Sequence, residues 1–271
     1  MNEWRQSARP PSPPSLFFLH PHFSSSNLSH ISLPFSLDPA TPAPLTGLRL
    51  ADVGCGGGLF AEALARLGAA VVGVDASPDA VAAAAAHAAA DPALAPRLTY
   101  AQGIAPSLAA SQPASFDAVI ASEVIEHVPD PARFLQACRS LVRKGSPGPV
   151  VVSTLARTPR AWAVAILGAE RLARLLPVGT HDWSRFLTPD ELALAAEEAG
   201  LRLDSVAGMG PDLRSAAASA LGLGQFVSSP ASWAGVLGGE AAPGGGWRLT
   251  DDLGVNYIGA LVVEGGAGGR K

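Results

Sequence analysis

The chain has 271 residues, a formal net charge of −4 and only 15% charged residues. This length suits one large domain or two small ones, and Gly and Pro together stay below the ~25–30% that marks low-complexity chains. The mildly acidic balance disfavours nucleic acid as a partner, and two cysteines, Cys55 and Cys138, are too few for a disulfide scaffold and indicate a reducing compartment.

The first 46 residues differ in composition from the rest of the chain. They contain clusters of proline and serine and only two acidic residues, Glu3 and Asp38. Because proline removes backbone donors and blocks helix formation, the composition predicts a disordered segment over residues 1–46. Its serine-rich, acid-poor character also suits an organelle transit peptide, although Arg5 and Arg9 are its only arginines.

From residue 47 onward, apolar strands alternate with helices. The predicted strands are Leu48–Val53, Ala70–Val74, Arg97–Ala101, Phe116–Ala121, Pro149–Thr154, Leu201–Gly208 and Tyr257–Val263. The predicted helices cover residues 59–67, 77–90, 131–143, 160–176 and 189–199, and residues 210–246 carry no pattern that can be assigned. This alternation predicts βαβ units, and therefore an α/β fold with a parallel sheet.

A glycine-rich loop follows the first predicted strand, in the segment Asp52–Gly58, and Asp75 follows the second strand. Glycines at the carboxyl edge of a parallel sheet let the backbone approach a cofactor closely, and we expect a Cβ at Gly54 to collide with it. An acid about 20 residues further along binds ribose hydroxyls in such sites. Because Leu59 stands where a dinucleotide fingerprint has Gly or Ala, the pattern favours a cofactor with a ribose but no diphosphate, and disfavours a nucleotide-dependent oxidoreductase.

The loop resembles the first motif of class I S-adenosylmethionine-dependent methyltransferases. Over about residues 47–263 the chain is similar to the ubiquinone-biosynthesis O-methyltransferases, through the segments 122–128, 152–158, 179–183 and 256–257. The resemblance implies a methyltransferase domain over residues 47–265, with a Rossmann-like α/β fold and a mostly parallel seven-stranded sheet that has helices on both faces. It implies S-adenosylmethionine as the cofactor, bound by Gly54, Gly56, Asp75 and Ser122. The reaction implied is methyl transfer to a catechol-type hydroxyl of a polyprenylated ubiquinone precursor.

The chain departs from this family in three places. The family's cofactor-contacting arginine, in helices before the first strand, has no match here, and Ala156 stands where the family has asparagine. The Tyr-Asn-Pro stretch that the family has after Gly-Met is missing after Met209. These departures leave open a second hypothesis, a cofactor- or lipid-binding subunit of a biosynthetic complex that does not turn over substrate.

Glu123, Glu126 and His127 follow the fourth predicted strand. On a helical turn their spacing places them on one face, and two carboxylates with an imidazole favour Mg²⁺ over Zn²⁺. The resemblance implies Mg²⁺ at the same three positions. The alternative is that these side chains only shape the pocket.

Two histidines are candidates for a catalytic role. One is His127, and the other is His181, which follows Pro177 and Gly179 and is expected on a loop over the cofactor edge. Two interpretations of His181 are open: a base, or a wall of the pocket that Asp182 and Trp183 help to fix.

Residues 160–176 are predicted to form an amphipathic helix that either packs on the sheet or lies at a membrane surface. Its apolar side would carry Trp162, Ile166, Ala169, Ala173 and Leu176, with Arg160, Arg171 and Arg174 opposite. No apolar run reaches the ~18–20 residues that a membrane span needs. The resemblance implies a polyprenylated aromatic substrate, peripheral membrane contact and other ubiquinone-biosynthesis proteins as partners. It places the protein on the matrix side of the mitochondrial inner membrane, or on the cytoplasmic membrane face in a bacterium.

Overall fold

The computed structural model describes residues 41–146, 148–172, 177–211 and 247–263. Eight strands form one sheet: β1 (Arg49–Val53), β2 (Ala70–Asp75), β3 (Leu98–Gln102), β4 (Ala118–Ser122), β5 (Val150–Leu155), β6 (Leu201–Pro211), β7 (Trp247–Thr250) and β8 (Asn256–Val263). The order across the sheet is β3-β2-β1-β4-β5-β8-β6-β7. The first five strands pair in parallel, whereas β8 is antiparallel to both β5 and β6, and β7 is antiparallel to β6.

Helices cover both faces of this sheet. They are α1 (Leu59–Arg66), α2 (Pro78–Ala88), α3 (Ala105–Ser111), α4 (Pro131–Leu141), α5 (Pro159–Ala161) and α6 (Pro189–Glu198), and a π-helix (Trp162–Leu172) continues α5. Successive strand residues alternate between two apolar clusters, so that Val150 and Val152 pack with α4 and α6 while Val151 packs with α1. A strand whose two sides are both buried reads as a continuous apolar run, which is the pattern of β5.

The predicted Rossmann-like α/β fold is confirmed, with one strand more than expected. The added strand, β7, lies at the edge of the sheet and pairs with β6. Helix α3 was likewise not predicted from the sequence. Elements of four and seven residues are too short to carry a clear hydrophobic period. Residues 212–246, which hold most of the stretch without a predicted element, lie outside the described residues.

The folded domain begins earlier than residue 47. Residues 41–46 were expected to be disordered, but Leu45 is fully buried and its backbone N–H donates to the carbonyl of Leu67 at 2.9 Å. This leucine packs in the cluster under α1, so its apolar surface is removed from water together with that of the helix. Residues 1–40, with the proposed transit peptide, lie outside the described part of the chain.

Candidate active site

The glycine loop joins β1 to α1 and is fastened to β2. The backbone N–H groups of Gly54 and Cys55 both donate to the carbonyl of Val74, at 2.7 and 3.1 Å. Gly54, Gly56 and Gly58 have φ angles of 75°, 52° and 81°, in the left-handed region that side chains with a Cβ rarely adopt. The loop therefore keeps its backbone at the carboxyl edge of the sheet, where open α/β sheets bind their ligands.

The structure gives Gly54 a different reason from the predicted one. A Cβ at Gly54 would collide with the side chain of Val124, in the loop after β4, and so the close neighbour is the protein itself. At Gly56 a Cβ would meet no atom within 4 Å. The space beside Gly56 is therefore open, as it is beside Gly57.

Two carboxylates flank this loop. Asp75 Oδ2 accepts the N–H of Gly56 at 2.9 Å, and its Oδ1 accepts the N–H of Ser77 at 2.8 Å, so Asp75 stands at the tip of β2 as the sequence predicted. Asp52 is 2% exposed, and its Oδ2 is buried without a hydrogen-bond partner. Burial and the neighbouring charge of Asp75 raise the pKa of Asp52 to about 7.

These residues suit S-adenosylmethionine. An unpaired buried carboxylate oxygen calls for a donor or a positive charge, and S-adenosylmethionine carries an ammonium, a sulfonium and a ribose. Asp75, at the tip of β2, is close enough to Asp52 for its charge to raise the pKa of that carboxyl, and Asp75 also accepts the N–H of Gly56. The loop and the two acids therefore fit the cofactor that the resemblance implies.

A buried polar cluster lies beyond the ends of β4 and β5. Ser153 Oγ donates to Glu123 Oε1 at 2.7 Å, and the hydroxyls of Ser122 and Ser153 share a hydrogen bond at 2.9 Å. The predicted contact of Ser122 with the cofactor stays a prediction. Asn256 Nδ2 donates to the same Glu123 oxygen at 3.2 Å, while the buried Oδ1 of Asn256 has no hydrogen-bond partner.

The backbone of Glu123 has a φ of 55°, and backbone strain at a residue with a side chain is characteristic of functional sites. Glu126, 3% exposed, accepts from Thr154 Oγ1 at 2.8 Å. Burial raises the pKa of both acids; for Glu126, burial and the charge of Glu123 raise it to about 8. When two buried carboxyls lie close together, the charge of one raises the pKa of the other, so that at least one of them binds a proton more readily than an acid in water does.

The expectation that Glu123, Glu126 and His127 share one helical face is wrong. Only Ile125–His127 form a turn of 3₁₀-helix, and Glu123 precedes it in the left-handed conformation. His127 is exposed at its surface, and partial burial of its ring, followed by the charges of His181 and Arg185, lowers its pKa. Within the described ranges no three His, Cys, Asp or Glu side chains are grouped to hold a metal ion, so the predicted magnesium ligands do not fit one.

His181 lies on a loop beside the end of β5, and its predicted place over the cofactor edge stays a prediction. Leu187, at the end of this loop, donates its N–H to the carbonyl of Leu155, and the ring of His181 packs edge-on against Phe186 with centroids 5.9 Å apart. Burial, followed by the charges of His181 and Arg185, lowers the pKa of His127. Glu170, the buried partner of His181, was not predicted from the sequence. It is the only acid between residues 160 and 176, and this is the signal that could have identified it.

The predicted amphipathic helix has a different winding. After the short α5 it continues as a π-helix, and the buried positions on it, Ala161, Ala165 and Glu170, recur every four or five residues instead of every three or four. Trp162, expected on the packed or lipid-facing side, is 41% exposed, and Arg160 pairs with Asp252 at 2.6 Å. Residues 173–176 are outside the described chain, and none of the helices that the structure describes is long and apolar enough to cross a membrane.

Comparisons with known proteins identify the family of this chain. Residues 25–206 match the family model of a methyltransferase domain. The chain is 42% identical over 233 residues to a ubiquinone biosynthesis O-methyltransferase of Cereibacter sphaeroides, covering 86% of this chain and 80% of that protein. It is 46% identical over 181 residues to a protein of the same name from Xanthomonas campestris, covering 66% and 74%.

Solved structures show the same fold at lower identity. An S-adenosylmethionine-dependent methyltransferase of Mesorhizobium loti superposes with a TM-score of 0.51 at 22% identity and covers 82% of this chain and 93% of its own. A phosphoethanolamine N-methyltransferase of Haemonchus contortus, solved with S-adenosylhomocysteine, has a TM-score of 0.51 at 18% identity and covers 91% and 54%. With the glycine loop and Asp75 in register, the chain belongs to the methyltransferase-domain family and is an S-adenosylmethionine-dependent O-methyltransferase of the ubiquinone-biosynthesis group.

Proposed function

We propose that the protein transfers the methyl group of S-adenosylmethionine to a catechol-type hydroxyl of a polyprenylated ubiquinone precursor. The observation that carries the proposal is the 42% identity to a ubiquinone biosynthesis O-methyltransferase over 80% of that protein's length. The buried polar cluster supports it, because the unpartnered Asn256 Oδ1 and the Glu123 carboxyl beside it suit a substrate with neighbouring hydroxyls. Membership in the methyltransferase family decides against the oxidoreductase alternative.

The protein's part in this reaction is to hold two reactants in line. When bound, S-adenosylmethionine supplies an electrophilic methyl group on a sulfonium. Asp75 and the glycine loop would hold the cofactor's ribose side, and Asp52 would face its positive charge. Most of the rate enhancement then comes from orientation, for which effective molarities of ~10⁵–10⁸ M have been established in intramolecular reactions.

The test is a methyl-transfer assay on a short-chain prenylated dihydroxybenzoate. Formation of S-adenosylhomocysteine and of a product heavier by one methylene would support the proposal, and the same ring with one hydroxyl serves as the matched control substrate. A protein that binds S-adenosylhomocysteine but methylates neither ring would be the non-catalytic subunit of the second hypothesis. The departure at Ala156, which is buried at the end of β5, makes this comparison necessary.

The magnesium that the resemblance implies is tested separately. The same assay is run in excess EDTA and again after Mg²⁺ is restored, while S-adenosylhomocysteine affinity is measured by calorimetry. Because Asp75 ends β2 and Glu123 follows β4, with β1 between them, we expect EDTA to leave cofactor affinity unchanged. Turnover that falls in EDTA and returns with Mg²⁺ would establish a cation requirement, and unaffected turnover would make the two acids parts of the pocket wall.

The proposal includes peripheral contact with a membrane, since a polyprenyl tail is confined to a bilayer. Support comes from exposed apolar side chains on the π-helix and the turn after it: Val164 is 52%, Leu172 74% and Val178 68% exposed. Arg171 is exposed on the same helix and would meet anionic headgroups. We propose the matrix side of the mitochondrial inner membrane, or the cytoplasmic membrane face in a bacterium, as its location, with other ubiquinone-biosynthesis proteins as partners.

A further inference from the structure

A buried carboxylate on the π-helix holds the loop that carries His181. Glu170 is 1% exposed and accepts three N–H groups: that of Gly179 on Oε2 at 2.7 Å, and the backbone N–H and ring Nδ1 of His181 on Oε1 at 2.8 and 2.9 Å. The donors belong to two residues of the loop, Gly179 and His181, so one carboxyl group fixes both the path of the loop and the plane of the imidazole.

These contacts also select the tautomer of His181. Oε1 of Glu170 already accepts the backbone N–H of His181, and an oxygen that accepts one N–H is suited to accept a second from Nδ1. With the proton on Nδ1, the neutral ring has its lone pair on Nε2. No residue in the described ranges is hydrogen-bonded to Nε2, and this atom is not among the buried polar atoms that lack a partner.

The contacts of this ring place it beside the end of β5. His127, which follows β4, and Arg185, four residues after His181, are electrostatic neighbours of one another, and Glu170 faces the ring from the π-helix. Phe186 packs on the ring and on Leu155, the last residue of β5. The imidazole is therefore fixed near the end of β5, the strand that carries Ser153 and Thr154 of the buried polar cluster.

We propose that His181 Nε2 is the general base of the methyl transfer and that Glu170 is its positioning residue; this rests on the function proposed above. Nε2 takes the proton of the catechol hydroxyl as the oxygen attacks the methyl carbon. The new O–C bond forms while the S–C bond breaks, its electron pair stays on sulfur, and S-adenosylhomocysteine leaves as the neutral thioether. The proton on Nε2 passes to solvent before the next turnover. An imidazole oriented by a buried carboxylate through Nδ1 is the arrangement that serves this purpose in hydrolytic triads.

The test compares two substrates that differ in the acidity of the hydroxyl. The ordinary catechol is the short-chain prenylated dihydroxybenzoate of the assay above, whose phenol has a pKa near 10 and needs a base. The nitrocatechol is the same prenylated ring with a nitro substituent, and it is already ionised to a large extent near neutral pH. General-base catalysis contributes roughly 10²–10⁴-fold, so His181→Gln should lower kcat by that factor on the ordinary catechol and by much less on the nitrocatechol. Glu170→Gln should show the same selectivity with a smaller loss and little change in KM.

Two controls keep the result interpretable. His87 makes the same kind of contact, Nδ1 to the buried Glu62 at 2.6 Å, but on α2, so His87→Gln should leave both rates at the parent level. Calorimetry with S-adenosylhomocysteine shows that each variant is folded, and imidazole added to His181→Gly should restore part of the rate.

Equal losses on both substrates would overturn the base and leave His181 a wall of the pocket. A parent protein that methylates neither catechol would refute the proposed function, and the base with it.

Discussion

Asp75 links the cofactor loop to the sheet, and its removal is the sharpest test of the cofactor site. Its two oxygens accept backbone N–H groups from Gly56 and from Ser77. Ser77 in turn begins α2, since its side chain accepts the N–H of Ala80 at 3.2 Å. Asp75→Ala therefore loosens the loop beside the open space at Gly56 and removes the acid expected to bind the ribose.

The size of the effect follows from the bonds that are lost and those that stay. Hydrogen bonds to a charged group contribute about 1.5–3 kcal/mol each, but the two bonds from Gly54 and Cys55 to the carbonyl of Val74 still hold the first half of the loop. We expect S-adenosylhomocysteine binding to weaken by ~1–3 kcal/mol, which is roughly a 5- to 150-fold increase in Kd.

Isothermal titration calorimetry measures this change directly. Asp79→Ala, an exposed acid in the first turn of α2, is the matched control and should bind like the parent. Asp75→Asn keeps one acceptor oxygen and should fall between the two. Unfolding in urea without ligand separates a loss of stability from a loss of binding. Parent-like affinity in Asp75→Ala would remove this residue from the cofactor site and refute the reasoning.

Three further predictions concern other parts of the molecule. Burial and Asp75 raise the pKa of Asp52 to about 7, so the folded protein keeps a proton that the unfolded chain releases near pH 4. This group therefore lowers the free energy of unfolding as the pH rises from about 4 to about 7, by up to ~4 kcal/mol. In urea unfolding, the free energy should fall less between pH 5 and pH 8 for Asp52→Asn than for the parent, and identical falls would contradict this prediction. Gly54→Ala should destabilise the protein by more than Gly56→Ala, because both have positive φ but only Gly54 lacks room beside Val124; equal urea midpoints would disprove the steric argument. Trp162→Ser should reduce pelleting with cardiolipin-rich vesicles at any salt, and Arg171→Gln should reduce it by about 1 kcal/mol and only at low salt, whereas parent-like pelleting of both would assign membrane contact elsewhere.

Local chemistry made the cofactor half of the site predictable. The glycine loop and Asp75 are each tied to a strand end, and parallel strands bring their carboxyl ends to one edge whatever the rest of the chain does. The loop and the acid accordingly meet through the Gly56 N–H. The N-terminus of α2 was equally visible, because Ser77 and Pro78 carry its capping signal within two residues.

The substrate half was less predictable, since its contacts join residues that are distant in sequence. The side chain of Glu123 accepts hydrogen bonds from Ser153 and Asn256, on strands that are neighbours only in the folded sheet. The backbone of Glu123 is in the left-handed conformation, to which helical spacing rules do not apply. The i, i+3, i+4 rule therefore placed three side chains on a face that does not exist. The π-helix likewise changed which residues of 162–172 are buried, because a hydrogen bond to the fifth residue shifts every side chain around the axis.

The sequence alone determined the fold class and the cofactor loop, because these depend on strand period, on glycines and on one acid in a fixed register. The family followed from the resemblance of the segments 122–128, 152–158, 179–183 and 256–257. The tertiary structure decided which atoms each side chain touches. It gave Val124 as the neighbour of Gly54, buried Glu170 against His181, and left Asp52 and Asn256 each with an unpartnered oxygen. Spacing along the chain specifies the direction of a side chain only within one regular element, whereas these contacts cross between elements and depend on how the sheet and its loops pack.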